Sequence, residues 1–161
     1  MLIACAGDAH GAREYTDALV AALPGVEAFC YLGDGEEDAL RLQYALAERQ
    51  PNAAFYAVRG NCDVFSRLPE TLEVRFGRTK ALVTHGHLFR VKLTCSLLAE
   101  AARRRECRLA LFGHTHRPAC ETEGGVCLVN PGALAQGKWA LVRVGEDGDI
   151  HAALRLSLIH I

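Results

Sequence analysis

Five times along this chain a short apolar run ends, and within a few residues a side chain able to ligate a metal follows, usually beside a glycine. Residues 2–6 lead into Asp8 and His10, residues 28–32 into Gly33-Asp34, and residues 53–58 into Gly60-Asn61. Residues 80–84 lead into His85, and residues 109–112 into Gly113-His114-Thr115-His116. Short apolar runs bounded by turn formers read as buried strands. Helical patterns separate the early ones. Residues 12–23 put Tyr15, Leu19 and Ala22 on one stripe and stop at Pro24-Gly25. Residues 36–50 carry acids in the first turn and Arg49 in the last, as the helix dipole favours. Strands alternating with helices call for parallel neighbours in a sheet, whose carboxyl ends share one edge where ligands bind. Spacing along the chain therefore predicts a cluster in space. The glycines fit, because a chain turning sharply beside a ligand needs positive φ or the absence of a Cβ.

Further strands are expected at 71–76 and 80–84 around Gly77-Arg78, and a helix at 92–105. After Pro118 the pattern is mostly β, at 119–122, 126–129, 139–144 and 150–156, joined by Gly-rich turns. The expectation is an α/β layered domain with two packed sheets flanked by helices, spanning 1–156, with 157–161 as a flexible tail. A chain of 161 residues, half of them hydrophobic, is long enough for one such core and too short for two ordinary domains. Its net charge of −1 gives no general attraction to nucleic acid or anionic lipid. No apolar stretch approaches a membrane span, and the opening run is too short for a signal peptide's core. The seven cysteines include no Cys-x-x-Cys pair and lie mostly in apolar runs, so reduced thiols and a cytoplasmic location are expected.

Taken singly, each polar motif has an ordinary structural reading. Asp8 could cap the helix near Ala12, Gly33-Asp34-Gly35 could be a turn or cap before Glu36, Gly60-Asn61 a turn, and His85 and His87 loop residues. Gly-His-x-His says more, since two such histidines can address adjacent positions. Jointly, five strand-end coincidences in order favour a metal site. The blocks Asp8-Ala9-His10, Gly33-Asp34, Gly60-Asn61-Cys62-Asp63, Thr84-His85-Gly86-His87 and Gly113-His114-Thr115-His116 together resemble the calcineurin-like metallophosphoesterase family. Asn130-Pro131-Gly132 is similar to a loop of its small single-domain branch of bacterial and archaeal phosphodiesterases. The resemblance spans about residues 1–145. A non-enzymatic branch of the same shape is a cargo-sorting coat subunit of the retromer complex, which gives the rival reading of an interaction scaffold. The complete ligand set argues against that rival.

The resemblance implies a layered α-β-β-α sandwich with two mixed sheets. It also implies one metal held by Asp8, His10, Asp34 and His116, and a second by Asp34, Asn61, His85 and His114, with Asp34 bridging. The activity implied is hydrolysis of phosphodiesters, or of phosphomonoesters, by a hydroxide bridging two divalent ions. Two metals about 3.5–4 Å apart would ionise a water and clamp the phosphoryl oxygens. Imidazole, carboxylate and amide ligands suit Mn, the expected ion, or Ni, Co, Fe and Zn, over Mg or Ca. Asp34 and Asn61 are the residues expected at the reacting phosphate. Many family members place a proton-donating histidine after Gly-Asn; here it is Cys62, a weak donor, with His87 as the other candidate. Arg103-Arg104-Arg105 reads as a solvated helix end, and Arg13 and Arg59 as phosphate contacts or surface pairs. The partner expected is a small phosphoester; no nucleic-acid groove is indicated, and a homo-oligomer is compatible with the sequence.

Overall fold

The computed structural model describes residues 1–157 and 159. Strand β1 (Leu2–Ala6) has both faces buried, as its unbroken apolar run requires, and it stands at the centre of a five-stranded sheet. Parallel to it run β2 (Ala28–Tyr31) and then β3 (Ala54–Ala57), joined through helices α1 (Arg13–Ala22) and α2 (Glu36–Arg49). On its other side β9 (Lys138–Val144) and β10 (Ile150–Leu156) add antiparallel, giving the order β10-β9-β1-β2-β3. The second sheet is β4-β5-β6-β8-β7, formed by Thr71–Phe76, Thr79–Thr84, Leu109–Leu111, Ala119–Glu123 (β7) and Val126–Asn130 (β8). There β5, β6 and β8 are parallel, and β4 and β7 are antiparallel edges. Helix α3 (Ser96–Arg104) precedes β6, and 3-10 turns occupy His87–Phe89 and Leu134–Gln136.

Strand alternation sorts the apolar residues into three layers. Ile3, Cys5, Cys30 and Leu32 meet Val74, Val83, Leu109 and Leu111 between the sheets. Ala4, Ala6, Phe29 and Tyr31 face the other way, against Leu19 of α1 and Leu42 and Leu46 of α2. Leu82, Ala110 and Leu128 pack on Leu98 and Ala102 of α3. The result is an α-β-β-α sandwich with two mixed sheets. The small residues of β1 (Ala4, Cys5, Ala6) let α1 and the second sheet approach from opposite sides.

Two elements differ from the sequence expectation. The helix expected over 92–105 begins at Ser96. Arg90 takes a left-handed conformation, residues 91–94 form a turn on its carbonyl, and the Ser96 amide donates to Thr94 Oγ1 at 3.2 Å. That hydroxyl offers the backbone a local alternative to the helix. The expected tail falls largely outside the described residues, but Ser157 is buried. Its amide donates to the Gly137 carbonyl at 2.7 Å, and its hydroxyl accepts from Trp139 Nε1 at 2.9 Å. Residues 158, 160 and 161 are not described. Among the described residues, no helix is long and apolar enough to cross a membrane.

The layers make a prediction about thiol reactivity. Burial pushes the Cys5 thiol up to about 12 and the Cys30 thiol well above its ordinary value, whereas Cys62 and Cys120 are exposed. Only a thiolate attacks an aromatic disulfide reagent. In native protein Cys62 and Cys120 should be labelled first, and Cys5 and Cys30 only after denaturation, as mapped by peptide mass spectrometry. Rapid native labelling of Cys5 would contradict the central position of β1.

Candidate metal centre

The parallel strands of both sheets end at one common edge, and hydrogen bonds stitch it together. The Asp8 amide donates to the Gly33 carbonyl at 2.8 Å, and the His10 amide to the Asp34 carbonyl at 3.2 Å. Within the second sheet the Gly113 amide donates to the His85 carbonyl at 3.0 Å. Two side chains cross between sheets. His85 Nδ1 donates to the Leu32 carbonyl at 2.7 Å, and Asp8 Oδ2 accepts from the His114 amide at 3.0 Å.

These ties bring together all seven expected ligands. Asp8 Oδ1 lies 3.1 Å from His116 Nε2 and 3.9 Å from His10 Nε2. Asp34 Oδ2 lies 3.9 Å from His10 Nε2 and 3.3 Å from His85 Nε2, so it faces two groups of donors at once. Around His85 Nε2 stand Asn61 Oδ1 at 3.1 Å, His114 Nδ1 at 3.2 Å and Asp34 Oδ2 at 3.3 Å. The metal-capable atoms of Asp8, His10 and His116 form one cluster, and those of Asp34, His85 and His114 another.

The chemistry of these atoms fits metal ions. With His85 Nδ1 donating to a carbonyl, Nε2 holds at most one proton. One proton cannot satisfy Asn61, His114 and Asp34 together, whereas a cation among them satisfies all. The surrounding charges shift the ionisable groups in both directions. Burial opposes protonation of His85, yet its hydrogen bond to Asp34 and the Asp8 charge hold its pKa above the ordinary value. Burial and the nearby His85 charge push His114 down to about 4. Burial raises the Asp8 carboxyl. Burial also works against an ionised Asp34, but hydrogen bonds from His85 and the Cys62 amide outweigh it and keep this carboxyl well below the usual range.

Close approach, more than turn geometry, explains two of the glycines. A Cβ on Gly60 would overlap the Asp34 carboxylate, and one on Gly113 would come within 2.7 Å of Asp8 Oδ2. The ligands themselves adopt the left-handed conformation: Asp8, His10, Asp34, His114 and His116 all have positive φ, between 47° and 69°. The glycine argument from sequence did not anticipate this.

The capping readings of Asp8 and Asp34 do not hold. Asp8 caps no helix; α1 begins at an uncapped Ala12, and Asp8 faces His114 and His116. Asp34 does not cap α2 either. That task falls to Asp63, whose carboxylate accepts from the amides of Asp34 (2.8 Å), Gly35 (2.9 Å), Glu36 (3.2 Å) and Gly60 (2.8 Å). Sequence reasoning missed this role. A second missed brace is Asn130, fully buried, whose Nδ2 donates to the Gly113 carbonyl (2.9 Å) and to Thr115 Oγ1 (3.0 Å). Cys62 Sγ is close enough to His10 and Asp34 to join a ligand cluster. His87 stacks obliquely beside His85 and His114, with a buried Nδ1 that lacks a hydrogen-bond partner among the described residues. Arg59 pairs with Glu70 at 2.6 Å, and Arg103 and Arg104 both pair with Glu100, as a solvated helix end would. Arg13 is exposed and carries no ion pair among the described residues.

Comparison with known proteins decides the family. The model of the calcineurin-like phosphoesterase superfamily domain matches residues 1–144. The chain belongs to this family. It is 31% identical over 129 residues to the probable metallophosphoesterase YsnB of Bacillus subtilis, covering 79% of this chain and 71% of that protein. It is 30% identical over 154 residues to the phosphodiesterase YfcE of Escherichia coli K12, covering 84% and 80%. Among solved structures, Vps29 of Entamoeba histolytica complexed with zinc superposes with a TM-score of 0.70 at 19% identity, over 98% of this chain and all of that one, a likeness of fold.

Asp63 acts on the centre through backbone, so its loss should loosen Asp34 rather than unfold the sheets. Asp63→Ala should weaken divalent-metal affinity by ~10–100-fold, the range for residues that orient metal ligands, with Asp63→Asn intermediate. Calorimetric titration with Mn checks this; unchanged affinity in Asp63→Ala would remove the clamp from the account.

Proposed function

We propose that this chain is a metal-dependent hydrolase of phosphodiesters, or of phosphomonoesters, working with two divalent ions in the cytoplasm. The observation that carries this reading is the crowding of Asn61 Oδ1, His114 Nδ1 and Asp34 Oδ2 around His85 Nε2, with Asp34 turned toward both ligand groups. Asp8, His10, Asp34 and His116 would hold one ion, and Asp34, Asn61, His85 and His114 the other. Bound there, a pair of divalent ions supplies a water ionised at neutral pH and cancels charge on the phosphoryl oxygens. Mn is the ion we expect, with Ni, Co, Fe and Zn compatible with the same ligands.

The protein's own groups divide the remaining work. The Cys62 amide holds Asp34 Oδ1 at 2.8 Å, which leaves Oδ2 free to be shared. The His114 amide does the same for Asp8, leaving Oδ1. Departure of the leaving group is the less supported half. Desolvation and the hydrogen bond to Asp34 raise the Cys62 pKa, so it stays a neutral thiol and a poor donor. Burial, and then the His85 charge, lower the His87 pKa, so it holds a proton weakly. Good leaving groups therefore suit this site better than alkoxides.

The fold likeness to Vps29 favours one rival, an interaction scaffold. Because that protein was solved with zinc, bound metal alone does not separate the readings; turnover does. Chelation should abolish hydrolysis of bis(4-nitrophenyl) phosphate and added Mn should restore it, with Ni, Co, Fe and Zn compared alongside. Asp34→Ala should lose more than about 100-fold in kcat/KM, while Glu48→Ala and Arg104→Ala stay near wild type. Turnover that persists in Asp34→Ala, or metal binding with no turnover on any aryl ester, would reject the proposal.

Cys62→Ala should cost less than about tenfold on aryl esters, below the ~10²–10⁴ typical for loss of a general acid. A several-hundredfold loss with metal content unchanged would make the thiol catalytic. The same loss with metal released would make it a ligand.

A further inference from the structure

A cleft of about 490 Å³ opens beside the metal centre, within the size range of small-molecule sites. One wall is the turn at 91–95 that leads into α3; the other is the loop from Thr115 into β7. Thr115 stands between His114 and His116, so the cleft begins where the ligands end. Two cations face it, Lys92 and Arg117. Neither has a carboxylate within 4.0 Å among the described residues, whose Lys and Arg ion pairs involve other side chains. A Cβ on Gly86, which stands between His85 and His87, would come within 2.8 Å of Val91, so the turn that carries Lys92 lies at the metal end of the cleft.

Arg117 is held in place by its backbone. Its amide donates to Thr115 Oγ1 at 3.1 Å, Thr115 Oγ1 donates to its carbonyl at 3.3 Å, and the buried Asn130 donates to the same hydroxyl at 3.0 Å. The backbone that carries the guanidinium is therefore anchored on the brace that also shapes the His114 loop. Further along β7, Ala119 and Glu121 share the face toward the cleft. Glu121 lies about 7 Å beyond Ala119 at ordinary strand rise. The cleft thus has a cationic end at the metal centre and a carboxylate at its far end.

We propose that Lys92 and Arg117 bind a second anionic group of the substrate, so that the preferred substrates are phosphoesters carrying a further phosphate or carboxylate a few bonds from the reacting phosphorus. The proposal rests on the phosphoesterase reading of the adjoining site. The reacting phosphoryl group has the metal ions as counter-charge, which leaves this pair of side chains for another anion. Glu121 forms an ion pair with neither cation, so both remain available to that anion.

The test compares thymidine 5′-(4-nitrophenyl phosphate) with its 3′-phosphorylated form, using metal-loaded wild type, Lys92→Gln, Arg117→Gln and Glu121→Gln. Wild type should favour the 3′-phosphorylated ester in kcat/KM, through a lower KM. That preference should fall about tenfold in Lys92→Gln and in Arg117→Gln, the scale of one charge-assisted hydrogen bond, and should not fall in Glu121→Gln. Equal turnover of both esters by wild type overturns the anion site and leaves the phosphoesterase reading standing. A preference that survives both cation variants, or is lost in Glu121→Gln, overturns it as well. Calorimetric titration of thymidine 3′,5′-bisphosphate and thymidine 5′-phosphate into metal-free protein reads the cleft without chemistry. If neither ester is hydrolysed, tighter bisphosphate binding that weakens in both cation variants sustains the anion site while the phosphoesterase reading falls. Equal binding of the two nucleotides overturns the anion site.

Discussion

The bond from His85 Nδ1 to the Leu32 carbonyl, 2.7 Å long and fully buried, joins the two sheets at the edge where the ligands gather. Either sheet alone would present half a centre, with Asp8, His10, Asp34 and Asn61 on one and His85, His114 and His116 on the other. The apolar layer between the sheets, from Ile3 to Leu111, supplies non-directional attraction. It does not fix how far one sheet slides over the other to within a fraction of an ångström. The directional contacts do that: His85 to Leu32, and the Asp8 carboxylate to the His114 amide. The same imidazole that pins the sheets presents its other nitrogen to the centre, so packing register and ligand geometry are one variable.

A second layer of residues converts that register into a defined site. Asp63 gathers four amides from two loops, and Asn130 does comparable work for the Gly113–Thr115 loop. Asp63 holds the left-handed Asp34 by its amide, and Asn130 steadies the loop that carries the left-handed His114, a conformation that costs roughly 1–2 kcal/mol per residue. Backbone strain gathered at one place persists only where surrounding bonds over-determine it. Here the over-determination comes from carboxylate and amide side chains aimed at main-chain N–H and C=O groups.

How much of this could be read from residues alone follows from the distance over which each feature is encoded. The strand-end placement of the candidate ligands was legible because each is a local event: an apolar run, a glycine, then Asp, Asn or His. The sheet that carries Asp8, Asp34 and Asn61 follows from right-handed strand–helix–strand logic. Asp63 was visible only as a neighbour of Cys62, because its partners Asp34, Gly35 and Glu36 lie 27 to 29 positions away and offer only backbone. The late start of α3 was hidden because Lys92 and Leu93 fit a helical pattern, and Thr94 competes through a hydroxyl whose orientation sequence does not reveal. Ser157 looked untethered because its anchors, the Gly137 carbonyl and the Trp139 indole N–H, lie 18 to 20 positions away and leave no local pattern.

The left-handed ligands also bear on how such a centre can change over generations. Asn, Asp and His are the non-glycine residues most at ease at positive φ, and they are also metal-binding types. At positions 8, 10, 34, 114 and 116 the backbone therefore admits a short alphabet before any metal is considered. A lineage that abandons the metal would drift there toward Asn, Gly or an exchanged Asp and His, because β-branched replacements meet the steric barrier first. Its sequence would go on resembling a metal site after the chemistry had gone, so remnants of such a motif in a descendant record conformation as much as catalysis.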